Sequence, residues 1–325
     1  GATGSGKSVA IHAIVVSLIY NNSPASLRFI MIDPKRVELT LYNRAPHLLT
    51  PVITDSKKAI LALKWAIKEM ERRYDILETE SVRDIESYHK NIMGPAYEKV
   101  LGKQGIEGKN LALPERMPYI VIIIDELADI MSAYPRELEA GIVRLAQMSR
   151  AVGIHLIIST QRPSVNVITG LIKANIPVRM AFQVPSQIDS RTILDMGGAE
   201  TLLGAGDMLY VSGEMSKPIR LQSAFISETE IKQVAKFLAK EDGDGDSPPD
   251  IMFSRDEDAE QGISPFFTSL TENEKMVDDD DLYDEARKTV TSAARASTTY
   301  LQRKFRIGYA RAARLMDLLE ERGIV

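Results

Sequence analysis

The first eight residues, GATGSGKS, leave a chain like this few folds to choose from. They match the pattern G-x-x-x-x-G-K-[ST] at every fixed position: Gly1, Gly6, Lys7 and Ser8. The chemistry requires those residue types. Glycines let backbone N–H groups turn inward around a polyphosphate, where a side chain would block the approach. The lysine sets a point charge on the β- and γ-phosphates, and the serine hydroxyl ligates Mg²⁺. The apolar run over residues 9–19 reads as a helix whose positive N-terminal end faces the phosphates. Gly1, Ala2, Thr3, Gly4, Ser5, Gly6, Lys7, Ser8 and Val9 are therefore the candidate nucleotide-binding residues. ATP and Mg²⁺ are the expected cofactors. The competing reading is a Gly/Ser-rich flexible terminus, and a full match followed at once by a helical run argues against it.

Such a loop follows a β-strand, and none precedes it here. The expectation is a numbering that starts inside a domain of a longer protein, without the strand that holds the loop.

Residues 119–126, YIVIIIDE, supply the matching half-site. A buried strand that ends in two carboxylates is what phosphoryl transfer needs. Asp125 would hold the Mg²⁺ shell beside Ser8. Glu126 would be the base that polarises the attacking water. The alternative is a strand followed by an acidic helix N-cap. Residues 154–160, IHLIIST, form another buried strand, and Gln161 after it can touch both the γ-phosphate and the water. A polar residue capping a loop is the other reading of Gln161.

The remaining pattern is that of an α/β protein. Residues 27–33, LRFIMID, are a strand of a parallel sheet by type, and Lys35 and Arg36 follow its C-terminal end, where open α/β sheets hold ligands. These two cations face either phosphate or DNA, or only solvent. Residues 57–79 repeat apolar positions at helical spacing, with Trp65 as packing. Residues 80–118 read as a short helix and a long loop. Residues 136–151 form a helix carrying Arg144 and Arg150 and ending at Gly153. Residues 176–184 are a fourth strand with Arg179 inside it, either a structural ion-pair partner or a cation offered to a neighbouring subunit. Ser190 is expected to cap a helix starting near Arg191 and ended by Gly197 and Gly198. Gly204 and Gly206 frame a turn before a strand at 207–212, residues 218–226 pair with it, and 228–240 form a helix.

Charge divides the chain. Residues 282–325 carry nine Lys/Arg against five Asp/Glu, a net +4, so the preceding 281 residues hold −9 of the chain's overall −5. Between them, residues 241–281 read as an acidic, breaker-rich linker unable to bury enough apolar surface to fold alone. A calcium loop at DGDGD is argued against by Phe253, which stands where the twelfth-position Glu would be. Residues 282–325 resume helical spacing with a Gly-containing break at 305–308, the pattern of a helix-turn-helix. Arg303, Arg306, Tyr309, Arg311 and Arg314 lie around the third helix, spaced to face a DNA groove and its phosphates. A tri-helical protein-docking module is the alternative. The chain ends where a β-wing would begin. With 325 residues there is room for one large domain, 1–240, and this small second one. The chain has no cysteine, which excludes disulfides, zinc-thiolate sites and thiol nucleophiles, and suits a reducing compartment. No apolar run is long enough to cross a membrane.

Seven stretches together resemble the FtsK/SpoIIIE family of bacterial DNA translocases: GATGSGKSV, MIDPKRVEL, HLLTPVITD, YIVIIIDELAD, SRAVGIHLIISTQRPSVNVITGLIKANIP, SRTILDMGGAETLLGAGDML and LQRKFRIGYARAARLMDLLEERGIV. The resemblance implies a RecA-like P-loop NTPase motor with a mostly parallel sheet. It implies a homo-hexameric ring around double-stranded DNA, for chromosome segregation at cell division. It further implies a C-terminal winged-helix domain, here truncated before the wing, that reads DNA polarity and contacts a site-specific recombinase. The parent protein would be membrane-anchored through a preceding N-terminal region, with its motor on the cytoplasmic side. Carried over by motif, Lys7 and Ser8 bind phosphate and metal, Asp125 and Glu126 form the Walker B pair and Gln161 is the sensor. Arg150 and Arg179 are candidates for the trans-acting arginine, with Arg191 third. Two rivals stay open: a related ring ATPase that moves protein, and a DNA-binding module that does not hydrolyse ATP.

Overall fold

Each of the three long apolar runs that end in a polar group becomes a parallel strand: β1 (Leu27–Ile32), β2 (Tyr119–Ile124) and β3 (Ile154–Ile158). The structure, a computed structural model, describes residues 1–101, 113–241 and 304–305. The strands lie in the order β1-β2-β3. β1 and β2 are covered on both faces, so they read as continuous apolar runs. β3, expected to be buried, buries Ile154 alone, with His155 exposed and the rest half-buried. Each fully buried isoleucine of β2 contributes about 1.5–3 kcal/mol relative to an exposed one. The register aligns Ile32, Ile124 and Ile158. The next residues, Asp33, Asp125 and Ser159, therefore stand side by side at the C-terminal edge.

One face of this sheet packs against α1 (Lys7–Asn21) and α9 (Glu228–Glu241), whose Ile11, Val15, Ile231 and Leu238 share a core with Phe29, Met31, Val121 and Ile123. By strand alternation Ile30 and Ile122 face the other way, and α2 (Ser56–Thr79), α5 (Leu127–Ala133) and α6 (Pro135–Met148) pack together there. Asp55 caps α2 by accepting from Lys58 N at 2.9 Å. Outside β1, residues 47–53 run parallel to it as an irregular edge: Leu49 N and Ile53 N donate to Phe29 O and Met31 O, and Phe29 N and Asp33 N to His47 O and Ile53 O. Pro51 has no N–H to give, so the edge stays two isolated bridges rather than a strand.

The strand expected at 176–184 is β4 (Arg179–Phe182), and it belongs to a second sheet. It pairs antiparallel with β5 (Asp207–Val211), which pairs antiparallel with β6 (Ile219–Gln222). The two sheets meet at the phosphate-binding loop: Gly1 N donates to Thr160 O just past β3, and Ala2 N to Gln183 O just past β4.

Three expectations change. Residues 85–101 are helical throughout, as α3 (Ile85–Tyr88), a π-helical turn over His89–Met93 and α4 (Gly94–Leu101). Gly94 and Pro95 open α4 rather than interrupt it, because proline's missing N–H costs nothing in a first turn. The cap of α8 (Gln187–Leu194) is Ser186, not Ser190: Ser186 accepts from Asp189 N. Ser190 is buried inside the helix, where its hydroxyl donates to Met196 O at 2.8 Å and accepts from Ala199 N at 3.1 Å. That helix stops at Asp195, which takes the left-handed conformation at φ 63°, before either glycine is reached. The linker at 241–281 and the basic tail lie outside the described residues, apart from residue 241, which ends α9, and Lys304 and Phe305, which are helical.

Candidate functional site

The loop takes its shape from two left-handed glycines. Gly4 has φ 80° and Gly6, which starts α1, has φ 96°. A Cβ on Gly6 would stand 2.3 Å from Gly206 N. That backbone N donates to Ser5 O at 2.9 Å, so the turn before β5 grips the loop from the second sheet. Above the loop lies a cleft of about 290 Å³. Ala2, Thr3, Gly4, Gly6, Lys7, Ser8 and Val9 all line it, as does Gln161. Gly1 and Ser5 do not line it; both are buried. A larger groove, about 690 Å³, runs between the C-terminal end of α1 and α9 beside Tyr20, His47 and Phe237. It contains none of the candidate catalytic side chains.

Lys7 and Asp125 meet across the register of the sheet. Lys7 Nζ donates to Asp125 Oδ1 at 2.7 Å, to Asp125 O at 3.0 Å and to Ser159 Oγ at 3.2 Å. Lysine and aspartate are 6% and 1% exposed. The second oxygen, Asp125 Oδ2, is buried and makes no hydrogen bond. A buried carboxylate oxygen without a partner costs free energy and leaves an acceptor for a cation or its water.

Glu126 is fully buried and is held on three sides. Thr160 Oγ1 donates to Oε1 at 2.5 Å, Gln161 N to both oxygens at 3.1–3.2 Å, and Lys35 Nζ to Oε2 at 3.1 Å. Burial pushes its pKa up, but these donors together hold it below the usual carboxylate range. Glu126 stands at the N-cap position of α5, yet its side chain makes no capping bond there. Gln161 joins the two halves of the site. Its backbone N reaches Glu126, and its Oε1 accepts from Thr3 Oγ1 of the loop at 3.4 Å. Lys35, 32% exposed, is thus paired with the buried Glu126 carboxylate. Arg36, at φ 60°, is the exposed one of the pair.

Two residues that the motifs do not mark complete the cleft. Ser8 Oγ donates to Glu38 Oε1 at 2.8 Å. Glu38 Oε2 stands 3.5 Å from His12 Nε2, and this histidine, ahead of burial and Ser8, is the largest influence on a carboxyl held below its usual range. A glutamate 30 residues from Ser8 carries no local spacing signal; only the pairing of acid and histidine across a strand-to-helix return would have hinted at it.

The arginines separate. Arg150 is exposed on the 3₁₀ turn Ser149–Val152, and Arg191 is exposed on α8. Arg179 is in an ion pair: its Nη1 donates to Asp195 Oδ2 at 2.6 Å and to Ile193 O at 3.0 Å, and Lys173 joins from the other side at 2.7 Å. Of its two readings, the ion-pair partner is the one these contacts favour. Arg303, Arg306, Tyr309, Arg311 and Arg314 lie outside the described residues. No group of three or more His, Cys, Asp or Glu gathers to hold a metal among the described residues. Mg²⁺ takes one or two protein oxygens and completes its shell with phosphates and water. Asp125 Oδ2, Ser8 and the open glycine loop fit a Mg²⁺-nucleotide. Among the described residues no helix is long and apolar enough to cross a membrane.

The FtsK/SpoIIIE family model matches residues 1–165, and that of the Ftsk gamma domain matches residues 277–325. The DNA translocase FtsK of Clostridium tetani is 52% identical over the whole chain, which spans 40% of that relative. Among solved structures, the pCW3 conjugation coupling protein TcpA, determined with ATPgS, is 27% identical with a TM-score of 0.60; the match covers 74% of this chain and 63% of that one. The cytoplasmic domain of the Type VII secretion ATPase EccC from Thermomonospora curvata shares the fold with a TM-score of 0.60 at 24% identity, over 78% of this chain and 28% of its own. The chain belongs to the FtsK/SpoIIIE family, and its fold is that of P-loop ATPase motor domains.

Proposed function

We propose that this FtsK/SpoIIIE family chain is the motor part of a translocase that hydrolyses ATP to move double-stranded DNA in chromosome segregation. The observation that carries the reading is the convergence of three separate segments at one cleft: Lys7 and Gln161 line it, and the adjacent Asp125 and Glu126 are hydrogen-bonded to them. Lys7 and the loop amides take the phosphates. Lys7 exchanges its bond to Asp125 for the β- and γ-phosphates. Ser8 and Asp125 Oδ2 would hold Mg²⁺, which would supply neutralisation of charge on the phosphoryl oxygens. Glu126, ionised and aimed by Thr160 and Lys35, takes the proton of the attacking water. Gln161 links that carboxylate to the loop and so registers what the loop holds. Arg150, exposed on the 3₁₀ turn after α6, is the first candidate for an arginine offered to the neighbouring subunit of a hexamer.

Residues 282–325 supply the DNA reader through Arg303, Arg306, Tyr309, Arg311 and Arg314, and contact a site-specific recombinase. The parent protein is anchored at the membrane. The relative's printed name, DNA translocase, and the gamma-domain match support DNA as cargo. The motor fold alone does not choose, since a secretion ATPase shares it.

The test is ATP hydrolysis by the full-length protein, with and without long duplex DNA, at two salt concentrations. The expected result is stimulation by DNA that fades with salt, since phosphate contacts release counterions. Glu126→Gln should lower turnover by about 10²-fold or more while nucleotide still binds. Hydrolysis indifferent to DNA would favour a protein cargo, and wild-type turnover in Glu126→Gln would remove the assigned base.

A further inference from the structure

The buried side chains of Asp33 and His12 hold a half-buried carboxylate, Glu38, against the Ser8 hydroxyl. Asp33, at the end of β1 and fully buried, accepts from Lys35 N at 3.1 Å, Glu38 N at 2.9 Å and Leu39 N at 3.0 Å. Those bonds fold residues 34–39 back toward α1 and deliver Glu38 to Ser8. His12 lies one turn after Ser8 on the same face of α1. Its Nδ1 stands 3.0 Å from the hydroxyl of Tyr42, which is fully buried, and its Nε2 faces Glu38. A carboxylate only accepts, so Nε2 carries the proton toward it. Glu38 is thus fixed at its backbone by Asp33 and at its side chain by His12, with one oxygen left for Ser8.

The geometry points to Glu38 as a positioning residue for the metal end of the nucleotide site. Its carboxylate takes the hydrogen of Ser8 Oγ, so that the oxygen offers its lone pairs to a hard divalent cation. Its charge adds to that of Asp125 nearby. His12 and Asp33 keep it in place. Lys7 occupies Asp125 Oδ1, so within the protein the Ser8 hydrogen goes to Glu38 and Asp125 Oδ2 stays open. Partners in the outer sphere of a metal set the orientation of its ligands, and their loss lowers metal affinity by about 10–100-fold.

This inference rests on the ATP reading, and the experiment separates the two. A fluorescent ATP analogue is titrated into the full-length protein with Mg²⁺ and with EDTA. The readout is the ratio of the two affinities. Glu38→Ala should shrink that ratio about tenfold and leave the EDTA affinity unchanged, because Lys7 and the loop are intact. Glu38→Gln should shrink it less, since an amide oxygen still accepts from Ser8. His12→Phe should move it in the same direction as Glu38→Ala. Where Glu38→Ala does not fold, the isosteric Glu38→Gln carries the test. A wild-type ratio in the glutamine variant, or equal losses with and without Mg²⁺, would overturn the inference and leave Glu38 as a clasp for the 34–39 turn. Wild-type protein that binds no analogue in either condition would instead overturn the ATP reading, and this inference with it.

Discussion

The two sheets of the motor domain are built on opposite terms. In β1 and β2 nearly every side chain is buried, and the strands end in Asp33 and Asp125. In β6 all four residues are exposed, β5 is largely half-exposed, and β4 buries only Ala181 and Phe182. The same contrast holds for ion pairs. Arg73 in α2 is 2% exposed, bonded to Glu69 at 2.8 Å and to Val152 O at 2.9 Å. Arg179 in β4 is 23% exposed and its partner Asp195 57%. The parallel sheet is a rigid floor that carries acids at one edge. The antiparallel sheet builds a smaller core around Ala181, Ile193 and Leu202, brings the 204–206 turn against the loop and leaves Leu203 and Ile188 facing out. In the ring motor proposed above, the first would carry the fixed chemistry and the second a surface for a neighbour.

The sharpest way to break this contrast is to cut the two ion pairs. Arg73→Ala should destabilise the domain by about 3–5 kcal/mol, because it empties a buried site and leaves Val152 O without its donor, while Glu69 keeps only Arg72. Arg179→Ala should cost under about 1 kcal/mol, since its pair is bathed in solvent. Denaturant midpoints measure both, and equal losses would end the distinction. Gly6→Ala tests the seam between the halves. A left-handed alanine set against Gly206 should cost about 2–4 kcal/mol and weaken nucleotide binding. A wild-type melting curve and wild-type nucleotide affinity would mean that the 204–206 turn yields without effort.

A pH series sharpens the picture of the buried half. Burial lowers the pKa of His47, whose Nε2 meets Asn22 O at 2.9 Å. A histidine depressed in the folded state contributes stability above its unfolded pKa of about 6.5 that is lost as pH falls. Wild-type stability should therefore drop below about pH 6.5, by up to about 1.4 kcal/mol per pH unit from this group, and less steeply in His47→Gln. Burial lowers His155 likewise, so part of the slope should remain. Identical slopes would mean that His47 is protonated without penalty. The smallest effect belongs to the exposed half. Leu203→Ser and Ile188→Ser should change monomer stability by less than about 0.5 kcal/mol and weaken self-association, as sedimentation would reveal. Self-association at wild-type strength would place the ring contact elsewhere.

Much of the site was legible in the chain. Lys7, Ser8, Asp125, Glu126 and Gln161 are marked by a spacing or by a strand end, and all five take part in the cleft or its hydrogen bonds. Glu38, His12 and Thr160 were not legible, and Lys35 was legible only as a loose cation. Each acts through a partner 26 to 91 residues away, so no short window of sequence contains both members of the bond. Ser190 misled for a related reason. A serine beside a helical run suits a cap, yet whether its hydroxyl meets an N-terminal N–H or a buried loop depends on where the helix starts, and Ser186 had already filled that role.

What the sequence by itself determined was local: which residues turn, which alternate or run apolar, where a strand must stop, and therefore the loop, the three parallel strands and the acids at their ends. Tertiary structure alone decided the partners. It set β4 in a second sheet, turned Lys35 onto Glu126 and gave the Ser8 hydrogen to Glu38. The physical reason is that backbone preferences act over a few residues, whereas a buried polar group must find its partner wherever the packed chain places one.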